Sequence, residues 1–467
     1  MFSRPSQDPP NIRNLSLQRK QPNFYALINY EDPYVQPLIL AALKKQLPLN
    51  SYTVISSLDE LPDPTSRVLV IGAYESLPFD HIMEHSTTSL TNAYIIRKAL
   101  IRKHYLSTTA FNWTIKNPSS ILVTNIKPSC DFELDYAEFL DDALIEAWEL
   151  QESFRQNEEK GPEEREWWIL KPGMSDRGQG IRLFSTEEEL RGIFEEWETE
   201  VPNSDDEDDN LDSAQENPSE PKSVGKKEKE GEGGDYIVTS HLRHFIAQPY
   251  IHPPLLLPSN PHKFHIRTYV LAFGSLKVYV YKSMLALFSA TPYSPPWTLS
   301  SSSDPSDPSS TPTQDLTAHL TNTCLQTGVH GGSVQAFWSL DLPSEQKESL
   351  WKQICETTGE IFEAAAKGMM IHFQTLPNAF EVFGLDYLVD EQGTAWLLEV
   401  NAFPDFRQTG DELKGLVRSL WEGVVGEVVG CFFGVDVVDG VGEKRYKGQE
   451  GGEEDLVLVR SVELGRK

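Results

Sequence analysis

The stretch FEVFGLDYLVDEQGTAWLLEVNAFP, residues 380 to 404, reads as two apolar strands around a polar turn. Phe383 to Val389 and Ala395 to Val400 carry the strand-forming residues, and Asp390 to Gly393 supply the turn. If an even-numbered connection pairs the strands, Asp386 falls on the same sheet face as Glu399, and Asn401 lies two residues further along that face. An Asp, a Glu and an Asn in otherwise apolar strands are costly to bury unless they bind something. Oxygen-only ligation suits Mg²⁺, which keeps some waters and takes its other ligands from nucleotide phosphates. The alternative is a half-exposed hairpin whose solvent face holds all three. Aromatic and aliphatic residues at the alternate positions of both strands argue against it.

Upstream, WWILKPGMSDRGQGIRLF, residues 167 to 184, delivers Lys171 from a strand into a loop with Gly173, Gly178 and Gly180. Glycine lets backbone approach phosphate oxygens, and Lys171 with Arg177 adds positive charge beside it. The pattern is strand-loop-strand, so it is neither a Walker motif nor a dinucleotide fingerprint, both of which open a helix. Further on, Lys263, His265 and Arg267 alternate with Phe264 and Ile266, so three cationic or potentially cationic groups leave one face of a strand. On an edge strand such a stripe could serve only to deter aggregation. In a chain of net charge −29 it points instead to a phosphate-binding pocket.

That same charge argues against general affinity for nucleic acid. The four cysteines are widely spaced and form no CxxC pair, which fits a reducing, cytoplasmic setting. The amino terminus lacks the apolar run of a secretory signal, and Leu416 to Val441 is broken by charges, so no membrane span is expected.

At 467 residues the chain exceeds a single core, and an α/β arrangement of several lobes is expected. Residues 1–22 read as a disordered tail and 23–115 as a small α/β lobe, with strands at Phe24 to Ile28 and Val68 to Ile71. Helices are expected at Val35 to Lys45 and Leu90 to Leu106. Residues 116–250 read as a central lobe that includes a strand at Ile121 to Val123. Within it, residues 201–235 hold 12 Asp or Glu against 4 Lys with almost no large apolar side chains, which predicts a disordered insert. Residues 251–435 form a third lobe, with a Ser/Pro-rich insert at 294–313 and a helix at Ser344 to Met369. The Gly- and charge-rich end, 436–467, reads as a flexible tail.

The motifs KPGMSDRGQGI, QPYIHPPLLL, KFHIRTYVL, VYVYK, HLTNTCLQ and FGLDYLVDEQGTAWLLEVNAFP, in this order, resemble the tubulin-tyrosine ligase family and its polyglutamylase-like members. The resemblance implies an ATP-grasp fold whose central and carboxyl-terminal lobes clamp ATP and Mg²⁺. It implies that Lys171 contacts the α and β phosphates and that Gln248, Pro249, Tyr250 and Ile251 form the adenine-binding hinge. Lys263, Arg267 and Lys282 would surround the reacting groups, with Asp386, Glu399 and Asn401 holding magnesium. Lys98 matches a phosphate-contacting lysine of the amino-terminal lobe. His319 and Asn322 fall in the HLTN signature with their roles open.

The activity implied is addition of a free amino acid, tyrosine or glutamate, to an acidic protein tail such as that of tubulin. ATP would activate the acceptor as an acyl phosphate. Two departures bear on acceptor and amino acid: His265 stands where the family usually has Asp, and Lys282 where it commonly has Arg. The alternative reading is a catalytically silent ATP-grasp scaffold or binding protein of cytoplasmic ribonucleoprotein bodies.

Overall fold

A computed structural model of the chain describes residues 22–173, 178–199, 242–299, 301–302, 313–321, 333–410, 413–437 and 455–464. The first unit is a parallel sheet in the order β2-β1-β3-β4, built from β1 (Phe24–Asn29), β2 (Tyr52–Ile55), β3 (Val68–Gly72) and β4 (Ser89–Thr91). The helix Gln36–Gln46 covers it with Leu38, Ile39, Ala42 and Leu43, a spacing that leaves one apolar stripe. Asp32 orders the turn that leads into that helix: its Oδ1 accepts from the amides of Tyr34 at 2.7 Å and Val35 at 3.2 Å.

The single helix expected over Leu90 to Leu106 is not formed. The segment begins as β4 and continues as two helices, Lys98–Ile101 and Lys103–Lys116, separated by Arg102 in extended conformation. Tertiary hydrogen bonds explain the difference. The Thr91 amide donates to Asn378 O at 3.1 Å, and Asn378 Nδ2 donates to Ser89 O at 3.0 Å. These partners are distant in sequence and invisible to local periodicity. The strand expected at Ile121 to Val123 is likewise a helical turn, Leu122–Asn125, whose first amide is met by Ser120 Oγ at 3.1 Å. A three-residue apolar run does not distinguish the two. Leu106, Ala110, Leu122 and Ile126 pack into the same core as Ile354 and Phe362 of the third lobe, so a boundary at 115/116 does not separate packing units.

The central unit is an antiparallel sheet, β5-β8-β6-β7, from β5 (Cys130–Glu133), β6 (Trp168–Pro172), β7 (Arg182–Phe184) and β8 (His244–Pro249). The helix Glu187–Thr199 closes it, burying Leu190, Ile193, Phe194 and Trp197. Thr186 and Glu189 form a reciprocal cap, with each side chain accepting from the other's amide at 3.1 and 3.2 Å. The acidic insert 201–235 lies outside the described residues.

The third unit is a seven-stranded sheet. It contains β9 (Phe264–Phe273), β10 (Lys277–Tyr281) and β11 (Leu285–Phe288). A two-stranded ribbon of β12 (Ser301–Ser302) and β13 (Thr313–Gln314) stands apart, so the Ser/Pro-rich stretch is not without structure among its described residues. The large sheet is completed by β14 (Val334–Ala336), β15 (Phe380–Val389), β16 (Ala395–Ala402) and β17 (Leu456–Ser461). Strand β9 pairs β10 and β11 on one side and β15 on the other, so it is central and the edge-strand reading of its basic stripe falls. The helix Ser344–Gly368 backs the sheet. The flexible tail expected over 436–467 is corrected by β17, which lies antiparallel on β10 and buries Leu456. Its alternating LVLVRS segment satisfies the open edge of β10.

Gly384 on β15 is required by a close approach. A Cβ there would stand 2.8 Å from Pro404 Cβ and 3.4 Å from Arg267 Cδ. Gly384→Ala is expected to lower stability by about 1–3 kcal/mol through overpacking, read as a shift of the urea midpoint; an unchanged midpoint would contradict that contact.

Candidate nucleotide and metal site

The hairpin reaches the expected face by a different route from the one expected. Its connection, residues 390–394, has five residues rather than an even number, and Val389 pairs Ala395 while Tyr387 pairs Leu397. Continued unbroken, that register would set Asp386 against Leu398. A bulge between Asp386 and Tyr387 shifts it so that Asp386 lies opposite Glu399, with Asn401 opposite Gly384. The turn is pinned by Asp390, whose carboxylate accepts from Thr394 N at 2.8 Å and Trp396 Nε1 at 2.7 Å, and Gly393 sits at φ +83°.

These side chains face a cavity of about 840 Å³ between the three units. Asn401 Nδ2 donates to Glu399 Oε1 at 3.1 Å and to Asp386 Oδ2 at 3.3 Å. Arg267, on the neighbouring β9, grips Asp386 with both Nε and Nη2, the latter at 3.0 Å. Burial raises the Asp386 carboxyl to about 7 against the pull of Arg267, and the adjacent Glu399 adds to the rise. Burial acts on Glu399 in the same direction, but Lys103, the hydrogen bonds from Asp386 and Asn401, and Lys171 outweigh it and bring Glu399 to about 2. Burial thus works against charge on Asp386, while the surrounding cations and hydrogen bonds favour it on Glu399. A donor set of two facing carboxylates and an amide fits a divalent cation, which would add positive charge beside the carboxylate that burial disfavours. Among the described residues no three His, Cys, Asp or Glu side chains gather as a complete cage. A cation here would draw its other ligands from water and phosphate oxygens.

Opposite lie the lysines. Lys171 on β6 donates to Gln248 Oε1 at 3.0 Å, and Lys263 donates to the Tyr250 hydroxyl at 3.0 Å. Burial lowers Lys171 to about 8 despite Glu399, and burial with the nearby Lys171 lowers Lys263 to about 7. Tyr250 OH also meets His319 Nδ1 at 2.8 Å, which ties the His-Leu-Thr segment to the hinge. The hinge itself, Gln248 to Ile251, lines the cavity, held by the Tyr250 amide on Trp167 O at 2.8 Å. Gly178, at φ +78°, lines it too. His265 is kept neutral by burial and by Arg267; its Nδ1 meets Thr321 Oγ1 at 2.6 Å and its Nε2 lies 3.5 Å from Asp386.

Arg177 and Asn322 lie outside the described residues. Two expected residues stand elsewhere. Lys98 is exposed at the start of its helix and does not line the cavity; the break at Arg102 turns Arg102 and Lys103 inward instead, with Lys103 Nζ 3.8 Å from Glu399. Lys282 falls in line with Thr268, on the sheet face opposite Arg267, where its Nζ stands 5.7 Å from the Trp338 ring. Sequence reasoning also missed the buried pair of Arg97, which lines the cavity, and Glu381, 2.9 Å apart. The signal available was Glu381 itself, a charge inside an apolar strand.

Three sheets clasping one polar cleft, with a hinge strand between the second and third, define an ATP-grasp protein. The architecture matches the carboxyl-terminal domain of Kluyveromyces lactis Pby1, described as an ATP-grasp enzyme interacting with the mRNA decapping enzyme Dcp2. The match has a TM-score of 0.63 and 34% identity over 94% of this chain and 99% of that one. The model of the tubulin-tyrosine ligase family matches residues 102–433, and the chain belongs to that family. It is 41% identical to a probable tubulin–tyrosine ligase of Schizosaccharomyces pombe, over 87% of this chain and 91% of the relative. With the probable tubulin–tyrosine ligase PBY1 of Saccharomyces cerevisiae it shares 43% identity over 84% of this chain but only half of the relative's length. No helix among the described residues is long and apolar enough to cross a membrane.

Proposed function

We propose that this chain is an ATP- and Mg²⁺-dependent carboxylate–amine ligase that adds a free amino acid to an acidic protein tail, that of tubulin or another, in the cytoplasm. The observation that carries the reading is the meeting of Asp386, Glu399 and Asn401 with Lys171 and Lys263 across one cavity. A carboxylate is a poor electrophile. Transfer of the γ-phosphoryl of ATP to its oxygen gives an acyl phosphate and ADP; attack of the amine then forms the amide, releasing phosphate and a proton. Magnesium, held by Asp386, Glu399 and Asn401, would neutralise charge on the phosphates. Lys171, Lys263 and Arg267 position the groups and offset developing charge, which is most of what phosphoryl transfer asks of a protein.

A second reading, a catalytically silent ATP-grasp scaffold of ribonucleoprotein bodies, draws support from His265 and from the Dcp2 partner of the Kluyveromyces lactis domain. Both readings expect Mg-ATP to raise the melting temperature, by about 2.7 kcal/mol of stabilisation at a hundred times Kd. Amino-acid-dependent ADP release supports the ligase; stabilisation without it supports the scaffold.

The lysines add a pH dependence. The free Lys263 holds less proton than the unfolded side chain from about pH 7 upward, so its share of stability rises with pH above that point. A bound triphosphate restores the proton. Nucleotide affinity is therefore expected to fall as pH rises from 7 to 9, with proton uptake visible by calorimetry in buffers of different ionisation enthalpy. A pH-independent affinity without proton uptake would contradict the placement of the lysines at the phosphates.

A further inference from the structure

The two faces of the central sheet carry different chemistry. Ile169 and Lys171 of β6 and Gln248 of β8 line the cavity, while Trp168, Leu170, Phe245 and Ala247 point the other way into a separate core. That second face is covered by the helical turns Ala137–Phe139 and Leu140–Ala143, the helix Trp148–Asn157 and the helix Glu187–Thr199. Leu140, Leu144, Ala147, Leu150 and Phe154 turn inward at helical spacing. The outer side of this layer therefore points away from the cleft.

That outer side is built unlike a solvated surface. Trp148 is 65% and Ile145 67% exposed, and the exposed Tyr136 and Phe139 form an edge-to-face pair with ring centres 6.2 Å apart. Large apolar side chains gathered on one outward layer mark an interaction surface, and Trp and Tyr are its usual anchors. Around them, residues 135–152 carry seven Asp or Glu and no Lys, Arg or His. Asp135, Asp141 and Glu152 are paired with Arg243, Arg191 and Arg155. Glu138, Asp142 and Glu146 are exposed and have no cation within ion-pair reach among the described residues.

We infer that this face docks a basic segment of a partner protein that carries apolar anchors. Its Lys or Arg side chains would meet Glu138, Asp142 and Glu146, and its aliphatic or aromatic side chains would cover Trp148, Ile145 and Phe139. The sign of the charge selects this occupant. A second copy would set one acidic face against another across a two-fold axis. Anionic lipid and nucleic acid are repelled for the same reason. The chain's own segment 201–235, with 12 Asp or Glu against 4 Lys, has the wrong sign as well. Residues 1–21 hold four Lys or Arg against one Asp and enter the test as a competing occupant. Because the face lies behind the sheet, docking leaves the nucleotide cleft open and does not depend on the ligase reading.

Fluorescence anisotropy tests this on the full chain, with a labelled amphipathic peptide of leucine and lysine as the probe and a peptide with glutamate in place of lysine beside it. The lysine peptide is expected to bind and the glutamate peptide not to. Trp148→Ser with Phe139→Ser should weaken binding by at least about tenfold. Glu138→Lys with Asp142→Lys and Glu146→Lys should weaken it as much, whereas the same change at Asp80, Glu84 and Glu345, exposed elsewhere, should alter it by less than about twofold. Each variant is expected to keep the wild-type melting temperature, so that a loss reads docking and not fold. Failure of the lysine peptide to bind, equal binding of the glutamate peptide, or equal loss from the distant charge changes overturns the inference. Binding that appears only after removal of residues 1–21 assigns the face to the chain's own terminus. Self-association of the wild type that Trp148→Ser abolishes assigns it to a second copy, and either result overturns the inference too.

Discussion

Replacing Glu399 by Gln is expected to abolish ATP turnover, with amino-acid-dependent ADP release falling by about 10³-fold or more. The substitution keeps the shape of the side chain and an oxygen for the Asn401 amide at 3.1 Å, so the fold has little to lose. What goes is the one carboxylate of the pair held fully ionised by its neighbours. Without it, Lys103 and Lys171 face a neutral group, and a cation beside Asp386 loses half of its anionic ligands. Comparison of the rate with the melting temperature separates the two effects. A variant that turns over at the wild-type rate would show that the hairpin face is not the metal site.

Substituting Arg267 by Met is expected to destabilise the chain by about 3–5 kcal/mol, since it strands a buried carboxylate. Arg267 and Asp386 are only 6% and 4% exposed, and their contact joins β9 to β15 at paired positions. The double variant Arg267→Met with Asp386→Leu should regain most of the loss, because it removes the unpaired charge along with its partner. Urea unfolding of the two single variants and the double variant gives the coupling. If the single change costs less than about 1 kcal/mol, the upper end for exposed pairs, the pair behaves as a solvated one and its burial is contradicted.

The central hairpin was legible because its chemistry is written against its surroundings: Asp386 and Glu399 interrupt aliphatic strands. Its register was not, since a bulge leaves no local signature and the expected even connection is a five-residue one. Two wrong assumptions cancelled. The basic stripe of β9 was readable from alternation, yet only the pairing of β9 on both sides distinguishes a binding face from an exposed one. Lys98 and Lys103 could not be sorted by sequence, because the break at Arg102 depends on contacts with residues far along the chain. Lys282 was misplaced for a related reason: its strand fixes which sheet face it takes, and motif matching does not track that parity. The fold class, by contrast, was carried by ordered motifs spread from the central unit to the hairpin, and the structural neighbour and the family agree with it.

The central claim is that the face of Asp386, Glu399 and Asn401, with Lys171 and Lys263 opposite, is a magnesium–nucleotide site. Its most direct test is equilibrium binding of a non-hydrolysable ATP analogue to the wild-type chain and to Lys171→Met, each with and without Mg²⁺. The account predicts binding that strengthens at least about tenfold with Mg²⁺ and weakens by about 10²-fold in the variant. Binding indifferent to both the metal and the lysine would contradict it.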